Sequence, residues 1–401
     1  MKRVLAAVGL CCVMHGMHAQ TLSYIQTDSS RIEYPGDSST MMYFFDLIDK
    51  MQSGEMQKIR VAHFGGSHIQ AGYWTEALAD SFQALGGYTG GGAFLFPYRV
   101  VKTNGPPFYR THGDGTWKRC RAVPSEMCKG LGLCGMGAVT TDTVASFGFV
   151  LRPNAHISAF NDIRVYHNFN PSYYFQLPAS FPATYRRMEF PEGGYTEFIF
   201  DQPIDTIHFD LHKTAMDNSE FFLRGWSIEN NDPGFYFASL GVNGASTYSF
   251  LQCTEFNKEL ATLPPDLVIF SIGVNDSQDD NFQAAGFNAR YDSLCANIRA
   301  VNPHCAILFC TITDNYIRRK YKNKRSLDVN AEIYKVAEKY GAGVWDLYTV
   351  MGGYGSIDKW YRSGLASSDR IHFKSEGYYM VAGMMFSAWH KSYLYHSAQK
   401  N

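Results

Sequence analysis

Val61-Ala62-His63-Phe64-Gly65-Gly66-Ser67-His68-Ile69-Gln70-Ala71-Gly72 is the stretch on which the fold turns. Ahead of it, Lys58 to Phe64 alternates polar and apolar residues, the period of a strand. Behind it, Tyr73 to Leu85 sets Trp74, Leu78, Phe82 and Leu85 three and four apart, the period of a helix. A strand that enters a helix through Gly65-Gly66-Ser67 makes a sharp turn that holds one hydroxyl outward. The helix N-terminus beside it favours developing negative charge. This suits a nucleophile, and it equally suits a serine that only caps the helix. The choice rests on what stands at the ends of the other strands.

The chain begins with Lys2 and Arg3, an apolar run from Val4 to Val13, and small residues ending at Ala19. This layout predicts a secretory signal over 1–19, cleaved near Ala19, and an exported protein. The run is shorter than the roughly 18 to 20 residues a membrane span needs, and no later segment qualifies. Without it, 34 basic face 37 acidic side chains, a net charge of -3. No basic run occurs, which argues against a nucleic-acid partner. Seven cysteines remain, an odd number. Cys120, Cys128 and Cys134 crowd one loop, where an exported protein can form one disulfide, while Cys305 and Cys310 fit a buried strand. No C-x-x-C pair or H-E-x-x-H motif occurs, so neither metal nor cofactor is expected.

Ser39 to Met51 reads as an amphipathic helix leading into the first strand. Gly86-Gly87-Tyr88-Thr89-Gly90-Gly91-Gly92 lacks the Gly-Lys-Ser/Thr of a phosphate loop and is expected to shape a rim. From Thr140 the period changes to short strands: Ser146 to Leu151, Ile163 to His167, Tyr173 to Leu177, Tyr195 to Phe200, Thr206 to Leu211 and Glu220 to Ile228. Turn residues separate them, among them Pro153-Asn154 and Pro191-Glu192-Gly193-Gly194, and this predicts a β-sandwich. Strands at Tyr236 to Val242, Asp266 to Ile272, Ala306 to Thr313 and Val344-Trp345 then alternate with helices. The helices are Thr247 to Thr262, Asp280 to Asn302, Ser326 to Tyr340 and Ser375 to Lys391. Such alternation implies a parallel sheet covered on both faces. The chain is thus read as an α/β domain over 20–139 and 232–401, interrupted by an all-β domain over 140–231.

Parallel α/β sheets place their sites at the carboxyl ends of the strands. There stand Ser67, then Gly241-Val242-Asn243-Gly244, then Gly273-Val274-Asn275-Asp276, and before the last helix Asp369-Arg370-Ile371-His372. Each is weak alone; all four in order are strong. His63, His68, His208 and His212 are expected to be structural.

In these blocks the sequence resembles the SGNH hydrolases, the GDSL-type esterases. Their Gly-Asp-Ser-x is similar to Gly65-Gly66-Ser67-His68, with Gly66 where the family has aspartate. Gly241 to Gly244, Gly273 to Asp276 and Asp369 to His372 match the later blocks, and Gly377-Tyr378 fits as well. The resemblance spans roughly Arg60 to Leu85 and Phe235 to His390. It implies a flavodoxin-like parallel sheet flanked by helices, with the β-sandwich (jelly-roll-like) inserted into it. It also implies Ser67 as nucleophile, His372 as general base and Asp369 as its orienting partner, with an oxyanion hole from the amides of Ser67 and Gly244 and the side chain of Asn275. Ile69 breaks G-x-S-x-G, so this is not the α/β-hydrolase elbow.

A β-sandwich between the first two blocks resembles the arrangement in bacterial peptidoglycan O-acetylesterases, where the insert is similar to a carbohydrate-binding module. Tyr166, Phe169, Tyr173, Tyr174 and Trp226 are candidates for a sugar-stacking surface, although alternation would bury about half of such a set. The expectation is an exported serine esterase that removes acetyl groups from an acetylated glycan, peptidoglycan first. The alternatives are a xylan-type acetylesterase or an acyltransferase on the same scaffold, and a non-catalytic glycan-binding protein on a decayed one.

Overall fold

Six parallel strands carry the α/β half of the computed structural model, which describes residues 22–153 and 155–400. They are β1 (Lys58–Gly65), β2 (Gly90–Leu95), β3 (Gly234–Gly241), β4 (Leu267–Ser271), β5 (Ala306–Cys310) and β6 (Gly343–Trp345). Side by side they run β6-β5-β4-β1-β3-β2. β1 is central and its side chains alternate between two cores. Ile59 and Val61 pack with Phe44, Phe45, Phe82 and Trp389 of helices Ser39–Gln52, Tyr73–Ala84 and Ser375–Gln399. Ala62 and Phe64 pack with Tyr291, Leu294 and Ile333 of Ala284–Val301 and Arg325–Tyr340. Burial on both faces is why β4 and β5 read as continuous apolar runs. The chain leaves β1 to one side for β2 and then β3, and crosses to the other side for β4. The ends of β1, β3 and β4 therefore flank a switch point, where open α/β sheets bind ligands. The expected signal over 1–19 and the Asn154 turn lie outside the described residues, among which no helix is long and apolar enough to cross a membrane.

The glycine run departs from its expected role. Gly90 to Gly92 open β2, which is buried along its whole length rather than forming a rim. A methyl at Gly90 would lie 1.8 Å from the Asp232 carbonyl oxygen, and one at Gly92 would lie 2.3 Å from the Tyr236 ring. The glycines are there for close approach of neighbouring chain segments.

β2 is also the seam to the β-rich region. It pairs parallel with β3 on one side and antiparallel with Phe221–Glu229 on the other, so the sheet continues without a break into antiparallel strands. Across it packs a second sheet in the order Tyr109–His112, Val144–Leu151, Thr206–Lys213, Tyr173–Gln176, around Phe147, Phe149, Phe175, Phe209 and Trp226. Lys118–Arg121 and Met136–Thr140 complete the region, so strands ahead of residue 140 share in it.

Three further expectations are corrected. Trp226 is fully buried and Tyr173 nearly so, facing the sandwich interior, and Tyr166 is fully buried on the opposite face of its sheet, its hydroxyl on Thr262 Oγ1 of helix Phe256–Thr262. Of the five aromatic candidates for sugar stacking, only Tyr174 is exposed, with Phe169 half-buried against His167. The expected helix from Thr247 to Thr262 is two, Thr247–Leu251 and Phe256–Thr262. Between them the Glu255 amide donates to the Leu131 carbonyl and Thr254 Oγ1 accepts from the Gly130 amide, drawing in the 130–131 turn. Finally, the strand expected from Ala306 to Thr313 ends at Cys310. Cys120 and Cys128 form the disulfide, and Cys134, Cys305 and Cys310 are buried thiols.

Candidate active site

Ser67 opens a one-turn helix, Ser67–Gln70, at the end of β1. Its Oγ lies 2.7 Å from His372 Nε2, and His372 Nδ1 lies 2.7 Å from Asp369 Oδ2. An ionised carboxylate only accepts, so the imidazole carries its proton on Nδ1 and turns a free Nε2 lone pair to the serine. Burial alone would raise the Asp369 carboxyl. The His372 ring and the amides of His372 and Ile371, which donate to it, outweigh burial and hold it well below the usual carboxylate range. The imidazole is thus oriented by a carboxyl held in its charged form.

Facing Ser67, the turn after β3 brings Gly244, and the turn after β4 brings Asn275. Asn275 Nδ2 donates one hydrogen to the Ala245 carbonyl at 2.7 Å, which fixes its amide plane. Gly244 has φ +86°, a conformation that favours glycine. The hydrogen bonds of the described residues leave the Ser67 and Gly244 amides unclaimed. Ser67, His372 and these donors line one open cleft of ≈ 720 Å³, with Tyr73, Asn104, Asn243, Lys374 and Tyr378 on its walls. A hydroxyl with a base on one side and fixed donors on the other is an arrangement for acyl transfer.

The structure brings Ser67, Asp369, His372, Gly244 and Asn275 together, and it also shows supports the sequence did not reveal. Gln70 Oε1 accepts from the Asn243 amide at 2.6 Å, Gln70 Nε2 donates to the Asn104 carbonyl at 2.8 Å, and Asn243 Nδ2 donates to Asn104 Oδ1 at 2.8 Å. Asp276, buried beside Asn275, accepts from the Thr247 amide and hydroxyl and ties the second block to the third. Arg370, between Asp369 and His372, has φ +57° and lays its guanidinium 3.5 Å over the Tyr361 ring. The Asp-Arg-Ile-His spacing was visible in sequence. The partners lie far away along the chain and gave no local signal.

The neighbouring histidines are structural in their contacts. His63 is buried between Ser271 Oγ at 2.9 Å and Thr75 Oγ1 at 3.0 Å, and burial drives its pKa down to about 3. His68 Nδ1 lies 3.0 Å from the Tyr378 hydroxyl. Burial, and then the nearby His372, push His68 down to about 3, so it packs beside the base as a neutral ring. His208 stacks on His112 and His212 on Tyr174, on the outer face of the second sheet. At Gly66 a Cβ would come within 3.2 Å of Asn275 Nδ2, so a side chain there would press on the donor opposite Ser67.

Residues 218–380 match the model of the GDSL-like Lipase/Acylhydrolase family. The span includes Gly244, Asn275, Asp369 and His372 but not Ser67. No curated protein sequence matches the chain. Among solved structures, a peptidoglycan O-acetylesterase is similar with a TM-score of 0.70 at 20% identity, over 90% of this chain and 99% of that one. An acetyl xylan esterase is similar with a TM-score of 0.32 at 20% identity, over 38% and 81%. A GDSL-like lipase from Bacteroides thetaiotaomicron is similar with a TM-score of 0.32 at 18% identity, over 39% and 76%.

Proposed function

We propose, from the premise that this chain is a GDSL-type carboxylic ester hydrolase on the SGNH fold, that it is an exported serine esterase removing O-acetyl groups from a glycan, with peptidoglycan as first substrate. The observation that carries the mechanism is the unbroken chain Ser67 Oγ–His372 Nε2 and His372 Nδ1–Asp369 Oδ2, open to a cleft. The glycan rests on likeness over nearly the whole chain to a protein described as a peptidoglycan O-acetylesterase, and the export on the signal-like sequence of 1–19.

In this reading Ser67 Oγ attacks the acetyl carbonyl as its proton passes to His372 Nε2. The carbonyl oxygen becomes an oxyanion held by the Ser67 and Gly244 amides and Asn275 Nδ2. The tetrahedral species collapses, and the sugar oxygen leaves with the proton from His372, giving acetyl-Ser67 and the free hydroxyl. Water then enters, gives a proton to His372 and adds to the acyl carbon. Acetate departs and Ser67 regains its proton. Asp369 keeps the imidazole in one tautomer throughout and stabilises the imidazolium.

The test is acetate release from O-acetylated peptidoglycan and from acetylated xylan, by wild type and Ser67→Ala. Release from peptidoglycan by wild type alone is expected. Release from xylan alone would move the substrate class. Release by folded Ser67→Ala at the wild-type rate would remove the nucleophile from the mechanism.

A further inference from the structure

We infer that Arg121 is a positioning residue for the oxyanion site, aiming the Gly244 amide through the peptide group it shares with Asn243. The inference rests on the esterase reading and goes beyond it, since Arg121 lies in none of the four blocks.

Arg121 Nη1 donates to the Asn243 carbonyl oxygen at 3.2 Å. That carbonyl and the Gly244 N–H belong to one planar unit and point in opposite directions across it. Fixing the oxygen therefore fixes the direction of the N–H. The cationic donor also draws electron density from the same amide and strengthens it as a donor on the other side. On the other flank, the Asn243 amide is gripped by Gln70 Oε1. The unit is thus held before and after Asn243, which a glycine at φ +86° needs if its amide is not to swing.

Arg121 is itself immobilised. Its Nε and Nη2 donate to the two Glu126 oxygens at 2.9 and 2.7 Å, a bidentate fork that a lysine cannot make. Arg119 grips the same carboxylate from its own Nε and Nη2 at 2.7 and 2.9 Å, and its Nη1 donates to the Lys102 carbonyl rather than to the 243–244 turn. Arg119 and then Arg121 hold Glu126 down at about 2, so it stays charged. The Cys120–Cys128 bond closes the loop that carries both ends of this clamp. From that loop, Val123 Cγ1 stands 3.5 Å from where a Gly244 Cβ would be. The disulfide loop thus supports the oxyanion turn as well as the fold.

The test compares wild type with Arg121→Gln, Arg121→Lys and Arg119→Gln. It follows hydrolysis of 4-nitrophenyl acetate, inhibition by a phenylboronic acid that mimics the tetrahedral species, and Tm. Arg121→Gln is expected to lower kcat about tenfold, less than the roughly 10² to 10³ of losing an oxyanion donor outright. KM and the pH profile should hold, and boronate affinity should fall by the same factor as kcat. Arg121→Lys should recover part of the loss, and it carries the test if the glutamine variant does not fold. Arg119→Gln, which loosens the same loop, should stay within about twofold of wild-type kcat. Unchanged kcat in folded Arg121→Gln, or equal losses in Arg119→Gln and Arg121→Gln that track Tm, would overturn the inference. Folded wild type that hydrolyses no acetyl ester would instead overturn the esterase reading beneath it.

Discussion

At the scale of single residues, the site separates its proton handling from its charge handling. In the proposed mechanism His372 is the group that changes state, while Asp369 is kept from changing. The carboxyl's depressed value means that it stabilises the fold in full above the ordinary aspartate value of about 3.9, and that this contribution is lost progressively as pH falls from there through the lower folded value. Asp369→Asn should keep the geometry but offer His372 Nδ1 a donor or an acceptor alike, so the imidazole no longer has one tautomer. A loss of about 10⁴ in kcat is expected, with KM little changed. The variant's Tm should also fall less steeply toward acid pH than the wild type's, by the share Asp369 contributes. A pH-rate measurement beside thermal melts checks both, and a kcat within tenfold of wild type would show that Asp369 does not orient the base. Arg370 has the unfavourable φ here. Its guanidinium, stacked on Tyr361 and donating to Asp358, holds the backbone turn that sets Asp369 and His372 side by side.

At the scale of elements, what was legible depended on whether a residue's role was local. Ser67, Asp369 and His372 stood out because a turn and a three-residue spacing are written in adjacent letters. Helices such as Ser39–Gln52 stood out because their apolar stripe repeats within one element. Gln70, Asn104 and Arg121 did not, because each acts on a turn brought near only by the fold. β2 was misread for a related reason. Glycine usually weakens a strand, and nothing in Gly90-Gly91-Gly92 itself tells that the chain at Asp232 to Tyr236 lies against it. Gly91 makes the point testable. Its φ is +142°, and an added Cβ would lie 2.1 Å from the Phe235 carbonyl oxygen. Gly91→Ala should destabilise by about 1–3 kcal/mol or more, since backbone cannot step aside as a side chain does. Urea denaturation reads it directly; a change under about 0.5 kcal/mol would mean that β2 is not packed this closely.

At the scale of the whole molecule, the continuous sheet makes the β-rich region and the α/β half one mechanical body, and a buried ion pair ties them a second time. Arg224, on Phe221–Glu229, donates from Nε to Glu259 on helix Phe256–Thr262. Its Nη2 donates to the carbonyls of His167 at 2.6 Å and Gly194 at 3.1 Å. Glu259 also accepts from the Leu133 amide at 2.7 Å. Burial raises the Glu259 carboxyl, and Arg224 and the Leu133 amide counter it. Removing one partner strands the other charge out of water, so Glu259→Gln should cost about 3–5 kcal/mol, while Arg224→Met with Glu259→Leu should recover most of that. Because the two halves share hydrogen-bonded strands, the loss should lower one transition rather than split it. The calorimetric peak and the loss of esterase activity should move down together. A Glu259→Gln protein whose β-rich region melts first, while activity persists, would show that the sheet does not transmit stability across β2.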